Sequence, residues 1–312
     1  DMLEKINPKQ LAHPADSPEN RTVEQEIVSL LVKMGYQVET QATQVCEDSD
    51  DGEASCLKVR NIIVHIKGSE QTSGILLSAH YDSVAAGPGA SDAGSAVASL
   101  LEIARLLTHH TTPRNSITLL FNEGEENGLK GAKAFMNEHP LADQLQLAIN
   151  IEARGSSGQS IMFETGENSG WLVEKYASTT KAPFSSSLFY EVYKYMPNST
   201  DLTIFKKHGL QGLNFAHAEN LAHYHTKLDN FDNLNLGSLQ HHGDNVWGIV
   251  KAIKDSDIEQ VIPGNRVFTD IFGLFMVQWH ESDSVALSLA LVALYMLVYY
   301  LRYNIFLVSL KS

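Results

Sequence analysis

Two histidines and four acids occur in order at the ends of apolar runs: His80, Asp92, Glu125, Glu126, Glu152 and His225. Together they hold what a two-metal hydrolytic site needs. There is an imidazole and a carboxylate for each ion, one carboxylate to share, and one left over as a base. His80 closes the run Gly74-Ile75-Leu76-Leu77-Ser78-Ala79, and Asp82 follows two residues on. Extended backbone points such a pair the same way, so Asp82 can reach the imidazole and fix its tautomer. Asp92 ends a glycine-rich stretch ahead of helical periodicity. It suits either a helix cap or a bridge between two cations roughly 3.5–4 Å apart.

Glu123, Glu125 and Glu126 crowd the end of the run Thr118-Leu119-Leu120-Phe121. Three acids there are costly unless a cation or proton compensates them. Of two adjacent glutamates, one can bind metal while the other takes a proton from metal-activated water. Glu152 ends another apolar run, with Arg154 as a rival partner. His223 and His225 both stand in Ala222-His223-Tyr224-His225, and spacing alone does not choose between them.

The elements that must position these residues alternate in type. Asp16-Ser17-Pro18-Glu19-Asn20 starts a helix that runs to Gly35. Segments 36–45 and 57–66 alternate as the strands of a hairpin. Strands are predicted at 74–79, 116–122, 145–151, 160–163 and 212–216. Helices are predicted at 91–107, 129–138, 170–180, 200–207 and 236–253. This order predicts an α/β fold with a mixed, mostly parallel central sheet and helices on both faces. His80, Glu125, Glu126 and Glu152 then fall at strand C-termini, where open α/β sheets bind ligands.

The chain has 312 residues and a net charge of −14, which excludes a nucleic-acid partner because phosphate contacts need a basic face. Much of the acidity lies in 47–53, which reads as a solvated loop and lacks the ligand order of a calcium loop. Cys46 and Cys56 bracket that loop, and a disulfide between them implies an oxidising compartment. Residues 284–301 carry no formal charge and have the length and composition of a transmembrane helix. The expected organisation is a catalytic domain over 1–258, a juxtamembrane linker over 259–283, the transmembrane helix, and a further apolar segment or tail over 302–312. Asp1 ahead of Met2 reads as a trimmed start.

The segments LLSAHYDSVAAGPGASDAGSAVASLLEIARLL, ITLLFNEGEENGLKGAKAF, INIEARG and HYHTKLDN resemble the M28 family of zinc metallopeptidases. The similarity covers roughly 15–255. Within the family it is closest to the membrane-tethered branch of vacuolar membrane proteases and endoplasmic-reticulum metallopeptidases. The resemblance implies a zinc-aminopeptidase-like fold, two Zn2+ ions and a peptide or protein substrate. It also implies a catalytic domain on the lumenal, vacuolar or periplasmic side. It puts His80 and Glu152 on one zinc and Glu126 and His225 on the other, bridged by Asp92. Glu125 is then general base and acid to a zinc-bridged hydroxide, Asp82 orients His80, and Asp201 and Tyr224 line the substrate pocket. Many relatives carry Asp at the Glu152 position. The rival readings are a one-zinc glutaminyl-cyclase-like acyltransferase and a catalytically inactive ectodomain.

Overall fold

The computed structural model describes residues 2–48, 54–70, 73–259 and 263–309. Its order begins with helices α1 (Met2–Ile6) and α2 (Pro18–Lys33), then strands β1 (Glu39–Asp48), β2 (Ala54–Ile66) and β3 (Gly74–His80). Then come α3 (Gly94–Leu107), β4 (Ile117–Asn122), α4 (Lys130–Glu138), β5 (Leu145–Ala153) and β6 (Ile161–Thr165). Next are α5 (Gly170–Thr179), α6 (Ser187–Tyr193), α7 (Asp201–Lys207), β7 (Gln211–His217) and α8 (Leu236–Ile253). A hairpin of β8 (Arg266–Ile271) and β9 (Phe275–His280) leads into α9 (Ser284–Ser309).

Seven strands form one sheet in the order β1-β2-β4-β3-β5-β7-β6. Strands β4, β3, β5 and β7 are mutually parallel and central, while β1, β2 and β6 join antiparallel at the sides. The α/β class is therefore as expected. The parallel strands are apolar on both faces because both faces are covered. From β3, Ile75, Leu77 and Ala79 enter a core with α3 and α8 residues such as Leu100, Leu101, Val246 and Ile249. Leu76, on the opposite face, packs with Phe135 of α4 and Leu202 and Phe205 of α7.

Local chemistry sets the helix ends. Ser17 caps α2 by accepting a hydrogen bond from the Asn20 amide at 3.1 Å, with Pro18 in the first turn. Asn235 caps α8 in the same way through the Ser238 amide. Cys46 and Cys56 sit opposite one another in the β1–β2 register and are joined as a disulfide. Of the acidic stretch they bracket, Glu47 pairs with Lys133. The expected solvated loop at 49–53 lies outside the described residues.

Three elements were not anticipated. Helix α1 is short, yet it buries Leu3 and Ile6. Helix α6 spans seven residues and buries none of them fully, so it carries no periodic signal. The stretch read as a linker holds the β8–β9 hairpin, whose Phe268 enters the main core. Helix α9 is long and apolar enough to cross a membrane, and its described side chains from Val285 onward are exposed to the surroundings rather than packed on the domain.

Candidate metal centre

The parallel strands end on one side of the sheet, and the loops that leave them carry the polar residues. His80 is the last residue of β3 and is almost fully buried. Its Nδ1 donates to the backbone carbonyl of Asp82 at 3.0 Å, while the nearest Asp82 carboxylate oxygen lies at 3.6 Å. The carbonyl, rather than the carboxylate, thus fixes the tautomer and leaves Nε2 free to face the cluster. The Asp82 carboxylate instead accepts the backbone amides of Glu125 (3.2 Å) and Glu126 (3.3 Å). It ties the end of β3 to the loop after β4.

Asp92 does not cap α3. That helix starts at Gly94 with Ala93 as an uncapped N-cap, and the Asp92 side chain turns into the cluster. The glycine-rich loop allows this turn. Gly89 adopts φ +63°, and a side chain on Gly87 would collide with the Thr226 carbonyl, next to His225.

Two donor groups result. His80 Nε2 lies 3.4 Å from Asp92 Oδ1 and 3.4 Å from Glu152 Oε2. His225 Nε2 lies 3.1 Å from Asp92 Oδ2 and 3.0 Å from Glu126 Oε1. Asp92 belongs to both groups, one oxygen toward each imidazole. Glu125 stands beside them, within reach of a third grouping with His80 and Glu126. His223 turns elsewhere, with its Nδ1 2.6 Å from Ser156 Oγ. Arg154 does not pair with Glu152, which accepts from Asn150 Nδ2 at 3.1 Å; the guanidinium lies over the Tyr224 ring instead. Tyr224 in turn stacks on His225, with ring centroids 3.7 Å apart. Asp201 is fully buried at the start of α7 and accepts a 2.6 Å hydrogen bond from Asn122.

Buried carboxylates crowd one another here, and the two imidazoles answer them. Burial drives Glu125 well above the usual carboxylate range, and the nearby Glu152, Asp201 and Glu126 charges add to this. Burial lifts Glu126 to about 7, opposed by His225. Burial also lifts Asp201 to about 7, helped by Glu152. Although burial works against charging His80, Glu152, Asp82 and Asp92 raise it well above its ordinary value. His225 rises to about 9 because Asp92 and Glu126 outweigh its burial. Asp92 falls to about 2 despite burial, held down by His225 and His80.

This donor set fits zinc. His225 Nε2 is buried and faces two carboxylates at 3.0–3.1 Å without hydrogen-bond geometry to either, as expected of a lone pair aimed at a cation between them. Imidazole nitrogen and carboxylate oxygen are the ligands of catalytic zinc.

Several supporting residues escape sequence reasoning. The Asp229 carboxylate accepts the backbone amides of Ser91 (2.6 Å) and Asp92 (3.1 Å), joining the Asp92 loop to the His225 loop. Its position four residues after His225 was visible, but a Leu-Asp-Asn turn signals only a loop. Glu123, the third acid of the loop, accepts the amides of Asp16 (2.8 Å) and Arg60 (2.6 Å) and lies 3.6 Å from Arg21. It braces the loop and lies outside both donor groups.

Behind the site, Ser91 donates to the Gly155 carbonyl, so His217 Nε2–H donates to Ser91 Oγ at 2.7 Å. Among the described residues the buried Nδ1 of His217 has no partner, and burial pushes the ring down to about 4, against a weak pull from Asp92. Between pH 4 and 6.5 the unfolded chain therefore binds a proton that the folded chain does not. Stability should fall as pH drops through that window, by about 2 kcal/mol at pH 5 from this residue. Urea unfolding at pH 7 and pH 5 checks this, and His217→Asn should remove that share of the pH dependence.

The sequence pattern of Peptidase family M28 matches residues 61–250. Endoplasmic reticulum metallopeptidase 1 of Mus musculus is 35% identical over 232 residues, covering 71% of this chain and 26% of that protein. A vacuolar membrane protease of Candida dubliniensis is 33% identical over 236 residues, covering 74% and 25%. The chain thus spans about a quarter of the length of the curated relatives it matches. Among solved structures, the aminopeptidase from Aneurinibacillus sp. strain AM-1 superposes with a TM-score of 0.66 at 16% identity. That overlay covers 85% of this chain and 96% of the other.

Proposed function

This chain belongs to peptidase family M28, and from that premise we propose that it is the catalytic part of a membrane-anchored di-zinc peptidase that removes N-terminal residues. The observation that carries the reading is the pair of donor groups sharing Asp92, with Glu125 beside them. His80 and Glu152 would hold one ion, and Glu126 and His225 the other. Bound zinc supplies Lewis acidity, polarising a carbonyl and making water acidic enough to deprotonate near neutral pH.

The chain's own residues do the rest. The Glu125 carboxylate takes a proton from the attacking water and delivers it to the leaving amine as the peptide C–N bond breaks. Burial and the neighbouring carboxylates raise Glu125 in the metal-free protein, and cations held by those neighbours would offset this and leave the carboxylate able to take that proton. Asp82, through the two amides it accepts, holds the Glu125-Glu126 backbone against β3. Tyr224, stacked on His225, forms part of the wall around the substrate.

Residues 1–258 would form the catalytic domain and 284–301 the membrane span. The Cys46–Cys56 disulfide supports placing the domain in an oxidising, lumenal compartment. Digestion of a peptide library by the zinc-restored full chain tests the activity. Stepwise loss of N-terminal residues is expected. Internal cleavage would overturn the aminopeptidase direction. Cyclisation of Gln-initiated peptides without hydrolysis would overturn the peptidase reading.

A further inference from the structure

Five of the seven arginines in this acidic chain sit against carboxylates, and of the other two Arg302 lies in α9. Arg21 holds Asp16, Arg60 holds Glu24, Arg105 holds Glu102, Arg114 holds Glu70 and Arg266 holds Glu174. Arg154 is different. Among the described residues its guanidinium makes no ion pair, although it is partly buried and only two residues beyond Glu152. It lies 5.5 Å above the Tyr224 ring, and that ring stacks at 3.7 Å on His225. Its backbone is fixed by a hydrogen bond from its own amide to the His217 carbonyl at 2.9 Å. A planar cation is therefore held over the ring that stacks on His225, and among the described residues its polar fork has no ion-pair partner.

We propose that Arg154 is a specificity-determining residue that binds a carboxylate of the substrate on the far side of Tyr224 from the donor groups. This rests on the peptidase reading and deepens it. A guanidinium presents parallel N–H donors that match a carboxylate in a fixed plane. The aromatic face beneath restricts its swing, so less freedom is lost when the anion binds. The carboxylate has two sources, the C-terminus of a short peptide or an acidic side chain within a longer one. Covering the Tyr224 ring alone does not need a guanidinium without an ion-pair partner, since an apolar or carboxylate-paired side chain could pack on it as well.

The test compares matched peptides with the zinc-loaded full chain. One pair differs only in a free or amidated C-terminus, and the other only in Glu or Gln beyond the scissile bond. Wild type should prefer one carboxylate member by about tenfold or more in kcat/KM, carried mainly by KM. Arg154→Met should erase that preference, and Arg154→Lys should restore part of it. The pair that shows the preference identifies the source. No preference in wild type, or equal losses on charged and neutral members in Arg154→Met, overturns the assignment and leaves Arg154 a prop for Tyr224. Calorimetric binding of the same peptides separates this from the peptidase reading. A carboxylate preference in binding that is lost in Arg154→Met supports the assignment even without turnover, whereas its absence overturns it.

Discussion

Glu125→Gln is expected to cut turnover by about 10²–10⁴-fold while the protein still folds and holds its metal. The substitution keeps size and shape, and it leaves the Glu125 amide free to bond Asp82 Oδ1 as before. It also removes a carboxyl group whose charged form is disfavoured by burial and by Glu152, Asp201 and Glu126. The metal-free variant should therefore be at least as stable as wild type in thermal unfolding. That combination is diagnostic. Glu125 also belongs to a possible donor grouping with His80 and Glu126, and as a ligand its replacement would strip zinc as well as activity. Metal analysis beside kcat separates the two roles. Retained zinc with kcat reduced less than about tenfold would remove Glu125 from the proton path.

His80, Glu125, Glu126 and Glu152 were legible because each follows an apolar run, and a parallel sheet gathers strand ends on one side. His80, at the end of β3, and Glu152, near the end of β5, needed no more than that. The choice of His225 over His223 was not legible. It depends on a turn in which His225 adopts φ +57° while His223 is drawn off by Ser156. The partner of His80 Nδ1 was also beyond reach. Residues two apart on a strand do share a face, but β3 ends at His80, and the chain beyond it offers a carbonyl closer than the carboxylate.

The same limit explains the elements that were missed. Helix α1 is held by burial of Leu3 and Ile6 against the domain, a tertiary effect that five residues cannot announce. The β8–β9 hairpin is half-exposed, and Phe268 alone of its residues is fully buried, so it leaves little alternation to read. Asp229 and His217 are supporting residues brought in from more than a hundred positions away in sequence, at Ser91. Only the fold makes them neighbours.

Asp92→Ala should remove both ions, where His80→Ala or His225→Ala removes one each. Asp92 alone contributes an oxygen to each group, at 3.4 Å from His80 Nε2 and 3.1 Å from His225 Nε2. Zinc held by about four donors at roughly 10–16 kcal/mol gives about 3 kcal/mol per donor, so losing one weakens an ion about 100-fold. In Asp92→Ala that loss falls on both ions. At limiting free zinc the expected content is two per chain in wild type, one in each histidine variant and none in Asp92→Ala. Activity should drop below that of Glu125→Gln, because Lewis acidity goes with the metal. In the metal-free protein Asp92 is held near pKa 2 by the two imidazoles. Its removal leaves His80 and His225 without their shared anion, so metal-free Asp92→Ala should also unfold at lower denaturant than wild type. Loss of a single ion in Asp92→Ala would show that the two groups do not share it as a bridge. Such a site would be two separate sites, and the geometry would then favour chemistry at one metal.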